Sequence, residues 1–257
     1  MKIWAHRGCS QMYPENTIMA FARAIEIKGL AGIELDIQMT KDGEIVVIHD
    51  ERVDRTTDGT GYVKDYTYAE LRKLSIETGS SQKEKVPSIQ EVLELLQDRM
   101  AENMLLNIEL KNSVIPYGGM EEKIMELIAQ RNLQRQVVYS SFYTMSLQRI
   151  REINPEVSVG VLDTKVSDCL YKKTGCFGPD DMKEDKLERT GTPPVALHPY
   201  WKGMDLTDKQ LAGQTVRAWF AGHLYPEKPT GTRLNLKGLE DMGITDVFLN
   251  EPEVYLG

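Results

Sequence analysis

Short runs of β-branched and aliphatic residues recur along the chain: Ile3 to Ala5, Ile33 to Gln38, Ile45 to His49, Leu105 to Lys111, Val137 to Ser141, Val157 to Leu162, Val195 to His198, Val216 to Phe220 and Val247 to Leu249. Their length and composition predict nine strands. Between many of them, apolar residues recur at helical spacing. The clearest case sets Ile89, Val92, Leu93 and Leu96 at i, i+3, i+4 and i+7 behind Ser88-x-x-Glu91, a capping box in which each residue satisfies the other's backbone N–H. Further helices are expected from about Thr17 to Lys28, with Ile18, Phe21, Ala22 and Ile25 on one face, and from Met120 to Arg131, Met145 to Ile153 and Arg233 to Met242.

Strand and helix therefore alternate, which implies parallel strands with crossover helices, either closed into a barrel or left as an open doubly wound sheet. Length favours the barrel, and no Gly-x-Gly-x-x-Gly follows the first strand to support the open alternative. One connection is too short for a parallel crossover. Only Met39-Thr40-Lys41-Asp42-Gly43 separates Gln38 from Glu44, which suits a hairpin at the third run; one of the nine runs is expected to stand outside the regular barrel, and the sequence does not say which. The segment from Asp50 to Lys85 is long for a single loop and is expected to carry structure of its own. The expectation is a TIM (β/α)8 barrel, somewhat distorted, with a small insertion after the third strand at about 50–104. With no internal repeat and no Gly/Ser linker, residues 1–257 read as a single barrel domain.

Composition narrows the chemistry. A chain of 257 residues with 41% hydrophobic and 27% charged residues can bury a large core, which sets aside disordered and fibrous classes. The balance of 31 Lys+Arg against 39 Asp+Glu, a formal charge of −8, supplies no positive field to draw the protein onto nucleic acid or an anionic bilayer. Cys9, Cys169 and Cys176 form neither a disulfide framework nor a zinc motif and read as unpaired thiols of a reducing compartment. No apolar run is long enough to span a bilayer, and Met1-Lys2 passes into Ile3-Trp4-Ala5-His6 without a signal-peptide core. A cytoplasmic protein with no stable membrane insertion is expected.

The second run concentrates the candidate chemistry. In Ile33-Glu34-Leu35-Asp36-Ile37 the two carboxylates share one face of a strand and the aliphatics the other. Asn107, Glu109 and Lys111 repeat the arrangement in the fourth run. If these strands are barrel neighbours, Glu34, Asp36 and Glu109 crowd a small volume, which costs free energy unless a cation or protons offset it. Oxygen-only ligands favour one divalent cation, Mg²⁺ or Ca²⁺. The plainer alternative is that the acids merely neutralise Arg7 and Lys111, although three acids against two bases leave negative charge in excess.

His6 and His49 both stand at strand ends beside charged residues, where barrel active sites are built, and such a pair can supply one acid and one base near neutral pH. Arg7 and Lys111 are the natural phosphate holders. A cation, two histidines and two bases describe metal-assisted phosphoryl transfer better than hydride or acyl transfer, and no Gly-x-Ser-x-Gly elbow competes.

Taken in order, His6-Arg7-Gly8, Pro14-Glu15-Asn16-Thr17, Glu34-Leu35-Asp36, Thr40-Lys41-Asp42-Gly43, Val47-Ile48-His49-Asp50 and Glu109-Leu110-Lys111 resemble the glycerophosphodiester phosphodiesterase family. Arg55-Thr56-Thr57-Asp58-Gly59-Thr60-Gly61 and Tyr68-Ala69-Glu70-Leu71 resemble the family's insertion after the second histidine, so the likeness covers residue 1 to about 112. The resemblance implies a TIM barrel, a divalent cation held by Glu34, Asp36 and Glu109, His6 and His49 as general acid and base, and phosphate contacts from Arg7 and Lys111. It implies hydrolysis of a small-molecule glycerophosphodiester to sn-glycerol 3-phosphate and an alcohol, by water or through a cyclic phosphate. A lysophospholipase D-like or cyclising activity and an inactive phosphate-binding barrel are the alternatives.

Other positions carry two readings. Asn16 reads as a helix N-cap, or with Glu15 as a support of the active-site loop. In Arg217-Ala218-Trp219-Phe220-Ala221-Gly222, Trp219 matches the family's aromatic and is a substrate-wall candidate, or a core aromatic. Asn250 reads as closing the barrel. Asp163 to Pro194 is expected to form a loop at the catalytic mouth, where Cys169, Tyr171, Cys176 and Phe177 would meet the leaving group, with His198-Pro199-Tyr200-Trp201 beside it.

Overall fold

Alternation within each strand sorts the side chains into two environments. In β1 (Lys2–His6), Ile3 and Ala5 join the large apolar cluster beneath the helices while Trp4 points into a second, smaller cluster with Val138 and Phe248. In β2 (Gly32–Met39), Ile33, Leu35 and Ile37 pack outward and Glu34, Asp36 and Gln38 take the other face, all of them buried. The same rule holds in β4 (Leu105–Leu110) and β5 (Val137–Ser141), where Leu106, Ile108, Val137 and Tyr139 belong to the outer cluster. A strand buried on both faces places its polar residues where only other strands can answer them.

The computed structural model describes residues 1–178, 181, 191–220, 224–227 and 233–256. Its strands follow the order β7-β6-β5-β4-β2-β1-β9-β8, with every adjacent pair parallel. Here β6 is Ser158–Asp163, β7 Ala196–Pro199, β8 Arg217–Trp219 and β9 Asp246–Leu249. Parallel bridges Leu197 to Val216 and Tyr200 to Trp219 join β7 to β8 and close the eight-stranded (β/α)8 barrel. The ninth strand is the expected hairpin: β3 (Ile45–Val47) runs antiparallel to β2 through Ile37↔Val47, Gln38↔Val46 and Met39↔Ile45. Its turn relies on Gly43 at φ +80°, a conformation that costs a side chain free energy.

The helices follow the apolar spacing. They are α1 (Ile18–Ile25), a short α2 (Tyr68–Leu71), α3 (Ile89–Ala101), α4 (Met120–Ala129), α5 (Thr144–Ile153), α6 (Val166–Phe177), α7 (Leu236–Asp241) and a terminal turn α8 (Glu253–Leu256). The Ser88 capping box forms as expected: Ser88 Oγ accepts from Glu91 N at 3.2 Å and Glu91 Oε2 accepts from Ser88 N at 2.8 Å. Ile89, Val92, Leu93, Leu96 and Met100 are buried beneath it. At α1 the cap is Thr17, which accepts from Ala20 N, whereas Asn16 lies at φ +56° with its side chain directed elsewhere.

Between β3 and α3 the insertion builds its own core. Val53, Val63, Leu71, Ile76 and Val86 pack with Val46 and Ile48, apart from the barrel's outer cluster. Tyr68 ties it to α3 by donating to Glu91 Oε2 at 2.7 Å.

The expected loop from Asp163 to Pro194 is corrected by α6, which runs from Val166 to Phe177 and packs on β6 and β7. Val166, Cys169 and Lys173 share its buried face, and Lys173 donates to the Val195 carbonyl at 2.7 Å and pairs with Asp181 at 3.0 Å. Tyr171 stands 81% exposed on the outside. Residues 179–180 and 182–190 of that expected loop, and Ala221 and Gly222 after β8, lie outside the described residues. Among the described residues no helix is long and apolar enough to cross a membrane.

Gly32 shows how tightly the strands approach. A Cβ there would lie 2.5 Å from both the Leu105 carbonyl oxygen and the Trp4 ring. Overpacking of this kind typically costs about 1–3 kcal/mol, so Gly32→Ala should lower the urea midpoint correspondingly with an unchanged slope. A midpoint equal to wild type would show that Trp4 can move aside.

Candidate active site

At the C-terminal end of β1 the chain turns sharply: Arg7 at φ +58° is followed by Gly8 at φ +83°. A non-glycine residue in the left-handed region carries strain of about 1–2 kcal/mol, commonly held at functional sites. Here the turn folds Arg7 back over the barrel mouth. Its backbone N–H donates to Glu34 Oε2 at 3.1 Å, its Nη1 to Glu15 Oε1 at 2.9 Å, and its Nε lies 3.3 Å from Asp36 Oδ2.

Register brings the acids together. Parallel pairing sets His6 opposite Glu34 and Asp36 opposite Glu109, so the inner faces of β1, β2 and β4 meet at one point. Carboxylate oxygens of Glu34, Asp36 and Glu109 all lie within 4.8 Å of one another, and the three side chains are buried. Asp36 is well served: Asn16 Nδ2 donates to it at 2.8 Å, Lys111 Nζ lies at 3.0 Å and Arg7 beside it. Burial raises its pKa, but Lys111, His49 and Arg7 outweigh that and hold it well below the usual range. Glu109 pairs with Lys111.

Glu34 receives least. Burial first, then Asp36 and Glu109, push its carboxyl well above the usual value, and its Oε1 has no hydrogen-bond partner among the described residues. A buried orphan oxygen inside a cluster of hard oxygen donors fits a divalent cation of the Mg²⁺ or Ca²⁺ type. The alternative drawn from sequence, simple neutralisation by Arg7 and Lys111, accounts for Asp36 and Glu109 and leaves Glu34 unanswered.

The two histidines flank this cluster. His6 is buried, its Nδ1 lies 2.7 Å from Asn250 Oδ1, and its Nε2 lies 3.7 Å from Glu34 Oε2. An amide oxygen can only accept, so Nδ1 carries the proton and Nε2 is left as the basic nitrogen. Burial, then the Arg7 cation, lower the pKa of His6 to about 3, which keeps the ring neutral. His49, delivered by the β3 hairpin, is partly exposed and donates Nδ1–H to Asp50 Oδ1 at 2.6 Å. Burial raises the Asp50 pKa, but hydrogen bonds from His49 and Arg55 prevail and keep it ionised.

Most of the charged groups border a cavity of about 310 Å³, which the fully buried Asp36 does not line. On one side stand His6, Arg7, Glu34, His49, Glu109 and Lys111; on the other Phe142, Leu162, His198, Trp219 and Phe248. Trp219 is half-buried, its ring 4.7 Å from Tyr200 and edge-on to Phe142 at 6.3 Å, so it is a wall of the cavity and part of an aromatic group at once. His198 sits deeper: burial and Arg217, 3.3 Å from its Nε2, keep it neutral, and Gly160 opposite leaves it room. Cys169, Tyr171, Cys176 and Phe177 do not border this cavity, because α6 carries them outside the barrel.

Several residues escaped the sequence reading. Asn250 orients His6 rather than merely closing the barrel, whereas Asn16, offered by the sequence as a helix cap or a support of the active-site loop, donates to Asp36 and leaves the cap to Thr17. Asp50 was legible from its place after His49. Arg55, which donates to both Glu15 and Asp50, had no such signal, since Glu15 lies forty residues away in sequence.

Comparison with known proteins gives the family this chain resembles. The model of the glycerophosphoryl diester phosphodiesterase family matches residues 6–188. A glycerophosphodiester phosphodiesterase of Caldanaerobacter subterraneus subsp. tengcongensis is 47% identical over 161 residues, 62% of this chain and just under two thirds (65%) of that relative. One from Bacillus altitudinis is 34% identical over 265 residues, covering 98% of this chain and 95% of the relative. Among solved structures, an Oleispira antarctica phosphodiesterase in complex with the product sn-glycerol-3-phosphate superposes with a TM-score of 0.71 at 25% identity, over 99% of this chain and 94% of that one.

The cluster makes a direct prediction. Without divalent cation at neutral pH, Glu34→Gln removes the cost of holding a third acid in the cluster, paid as repulsion or as protonation, and should raise the thermal midpoint by about 2–4 °C for each kcal/mol relieved. The same variant should lose most of the upward shift that Mg²⁺ or Ca²⁺ produces in the wild type. Equal cation-induced shifts in both proteins would place cation binding elsewhere.

Proposed function

The chain belongs to the glycerophosphoryl diester phosphodiesterase family, and from that premise we propose that it hydrolyses glycerophosphodiesters to sn-glycerol 3-phosphate and an alcohol with the aid of one divalent cation, Mg²⁺ or Ca²⁺. It is a phosphoric diester hydrolase by membership, so what this reading adds is the substrate and the residue roles. One observation carries it: two imidazoles, each with Nδ1 tied down, border the same cavity as Arg7, Lys111 and two members, Glu34 and Glu109, of a three-carboxylate cluster.

Glu34, Asp36 and Glu109 would hold the cation. When bound, such an ion supplies positive charge to phosphoryl oxygens and makes a nearby hydroxyl more acidic. Arg7 and Lys111 bind the phosphate, and Trp219 packs against the substrate. His6, neutral with a free Nε2, takes the proton from the attacking hydroxyl. His49, its Nδ1–H held by the Asp50 carboxylate, gives a proton to the alcohol oxygen as the phosphorus–oxygen bond breaks. The nucleophile is water or the substrate's own glycerol 2-hydroxyl, and a 2-deoxy substrate separates these routes.

The cavity is at the small end of ligand pockets, which suits a deacylated headgroup better than a fatty chain. Lysophospholipids are therefore the second substrate class. The compartment we propose is the cytoplasm.

Glycerol 3-phosphate release from glycerophosphocholine and glycerophosphoethanolamine should vanish on chelation and return with Mg²⁺ or Ca²⁺. His6→Ala and His49→Ala should each lose about 10²–10⁴-fold in kcat, the usual worth of a proton-transfer group. Faster turnover of lysophosphatidylcholine would move the assignment to the second class, and tight binding of glycerol 3-phosphate without turnover would make the barrel a binding module.

A further inference from the structure

One guanidinium lies where the two halves of the site meet. Arg55, in the insertion just beyond His49, donates through Nη1 and Nη2 to both oxygens of Glu15, at 2.7 and 2.8 Å. Through Nε and Nη2 it also donates to both oxygens of Asp50, at 2.6 and 3.0 Å. Each carboxylate holds a second group. Asp50 accepts the Nδ1–H of His49 at 2.6 Å, and the buried Glu15 accepts Nη1 of Arg7 at 2.9 Å. Arg7 in turn lies against Asp36 at 3.3 Å. An unbroken sequence of charged contacts thus runs from His49 through Asp50, Arg55, Glu15 and Arg7 to the acid cluster. Arg55 comes from the insertion and does not border the cavity.

We propose that Arg55 is a positioning residue for phosphodiester hydrolysis: through Asp50 and Glu15 it sets His49 and Arg7 in one mutual geometry without touching substrate. The inference rests on reading His49 as the proton donor and Arg7 as a phosphate holder. Bidentate contact to two carboxylates is a property of the planar fork of arginine. A lysine keeps the charge but, as a point donor, cannot fix both carboxylates in orientation. Without the fork, the carboxylates turn independently, His49 loses its aim at the leaving oxygen, and Arg7 loses its aim at the phosphate. Proton donation matters in proportion to the basicity of the leaving group, so the loss on the His49 side depends on the alcohol expelled. A loss on the Arg7 side does not.

The test compares glycerophosphocholine, whose alkoxide must be protonated, with the p-nitrophenyl ester of glycerol 3-phosphate, whose phenolate leaves unaided and whose glycerol hydroxyls are retained. Wild type, Arg55→Ala, Arg55→Lys and His49→Ala are assayed on both with saturating Mg²⁺ or Ca²⁺, and thermal midpoints are recorded. Arg55→Ala and Arg55→Lys should lower kcat on glycerophosphocholine by about 10–10²-fold, part of what full loss of a proton donor costs. On the aryl ester kcat should stay within about threefold of wild type, with KM raised on both substrates through Arg7. Should Arg55→Ala fail to fold, Arg55→Lys carries the comparison. Equal losses of kcat on the two substrates, accompanied by a lowered midpoint, mean that Arg55 only holds the insertion in place and overturn the proposal. So do wild-type parameters in Arg55→Ala beside a leaving-group-dependent loss in His49→Ala. If His49→Ala itself shows no leaving-group dependence, the role given to His49 fails, and this proposal fails with it.

Discussion

Repulsion among three carboxylates on adjoining strands is the constraint around which the barrel mouth is built. Strand register puts Glu34, Asp36 and Glu109 within one another's reach, and burial removes the water that would screen them. The surrounding polar residues act as partial answers. Lys111 serves Asp36 and Glu109, Arg7 serves Asp36, and Asn16 gives Asp36 a hydrogen bond. Glu34 is the remainder, with one oxygen unanswered. A protein that keeps such a cluster gives up stability unless something binds there, and the offset is the binding energy itself.

The histidines solve a different problem, that of orientation. Each ring has its Nδ1 held, one by the Asn250 amide and one by the Asp50 carboxylate, and the choice of partner separates their roles. A neutral acceptor beside a buried ring leaves it a base. A carboxylate behind a partly exposed ring takes the Nδ1 hydrogen bond and fixes the plane of the imidazole. The same side chain is thus proposed for two tasks according to what lies behind it.

How much of this was visible in the sequence depended on distance along the chain. Acids alternating with aliphatics in β2 and β4 declared an inward polar face, the Ser88 box declared α3, and a five-residue connection declared the β3 hairpin. Each of those signals is local. Asn250 reaches His6 from the far end of the chain and Arg55 reaches Glu15 across the insertion, and no spacing announces either contact. The helix after β6 was hidden for another reason. Lys173 occupies a core position of α6 only because Asp181 and the Val195 carbonyl receive its ammonium, so its charge disguised a buried face as loop. At α1, Asn16 is a good capping residue by type, but its left-handed backbone assigns the cap to Thr17 and frees the amide for Asp36.

The hairpin that departs from the barrel pattern has a thermodynamic consequence. His6 belongs to a strand clamped between two parallel neighbours, whereas His49 follows a three-residue strand whose Val46 faces the insertion's own small core with Ile48. Cooperative units with separate cores open at separate free energies, and the smaller one opens first. His49 is tied to both, since Ile45 and Val47 of its strand pack in the barrel core while Val46 packs in the insertion, so loosening of the insertion alone frees only one face of that strand. Placement of the second imidazole therefore draws on two cores at once, through aliphatic side chains that do not border the cavity.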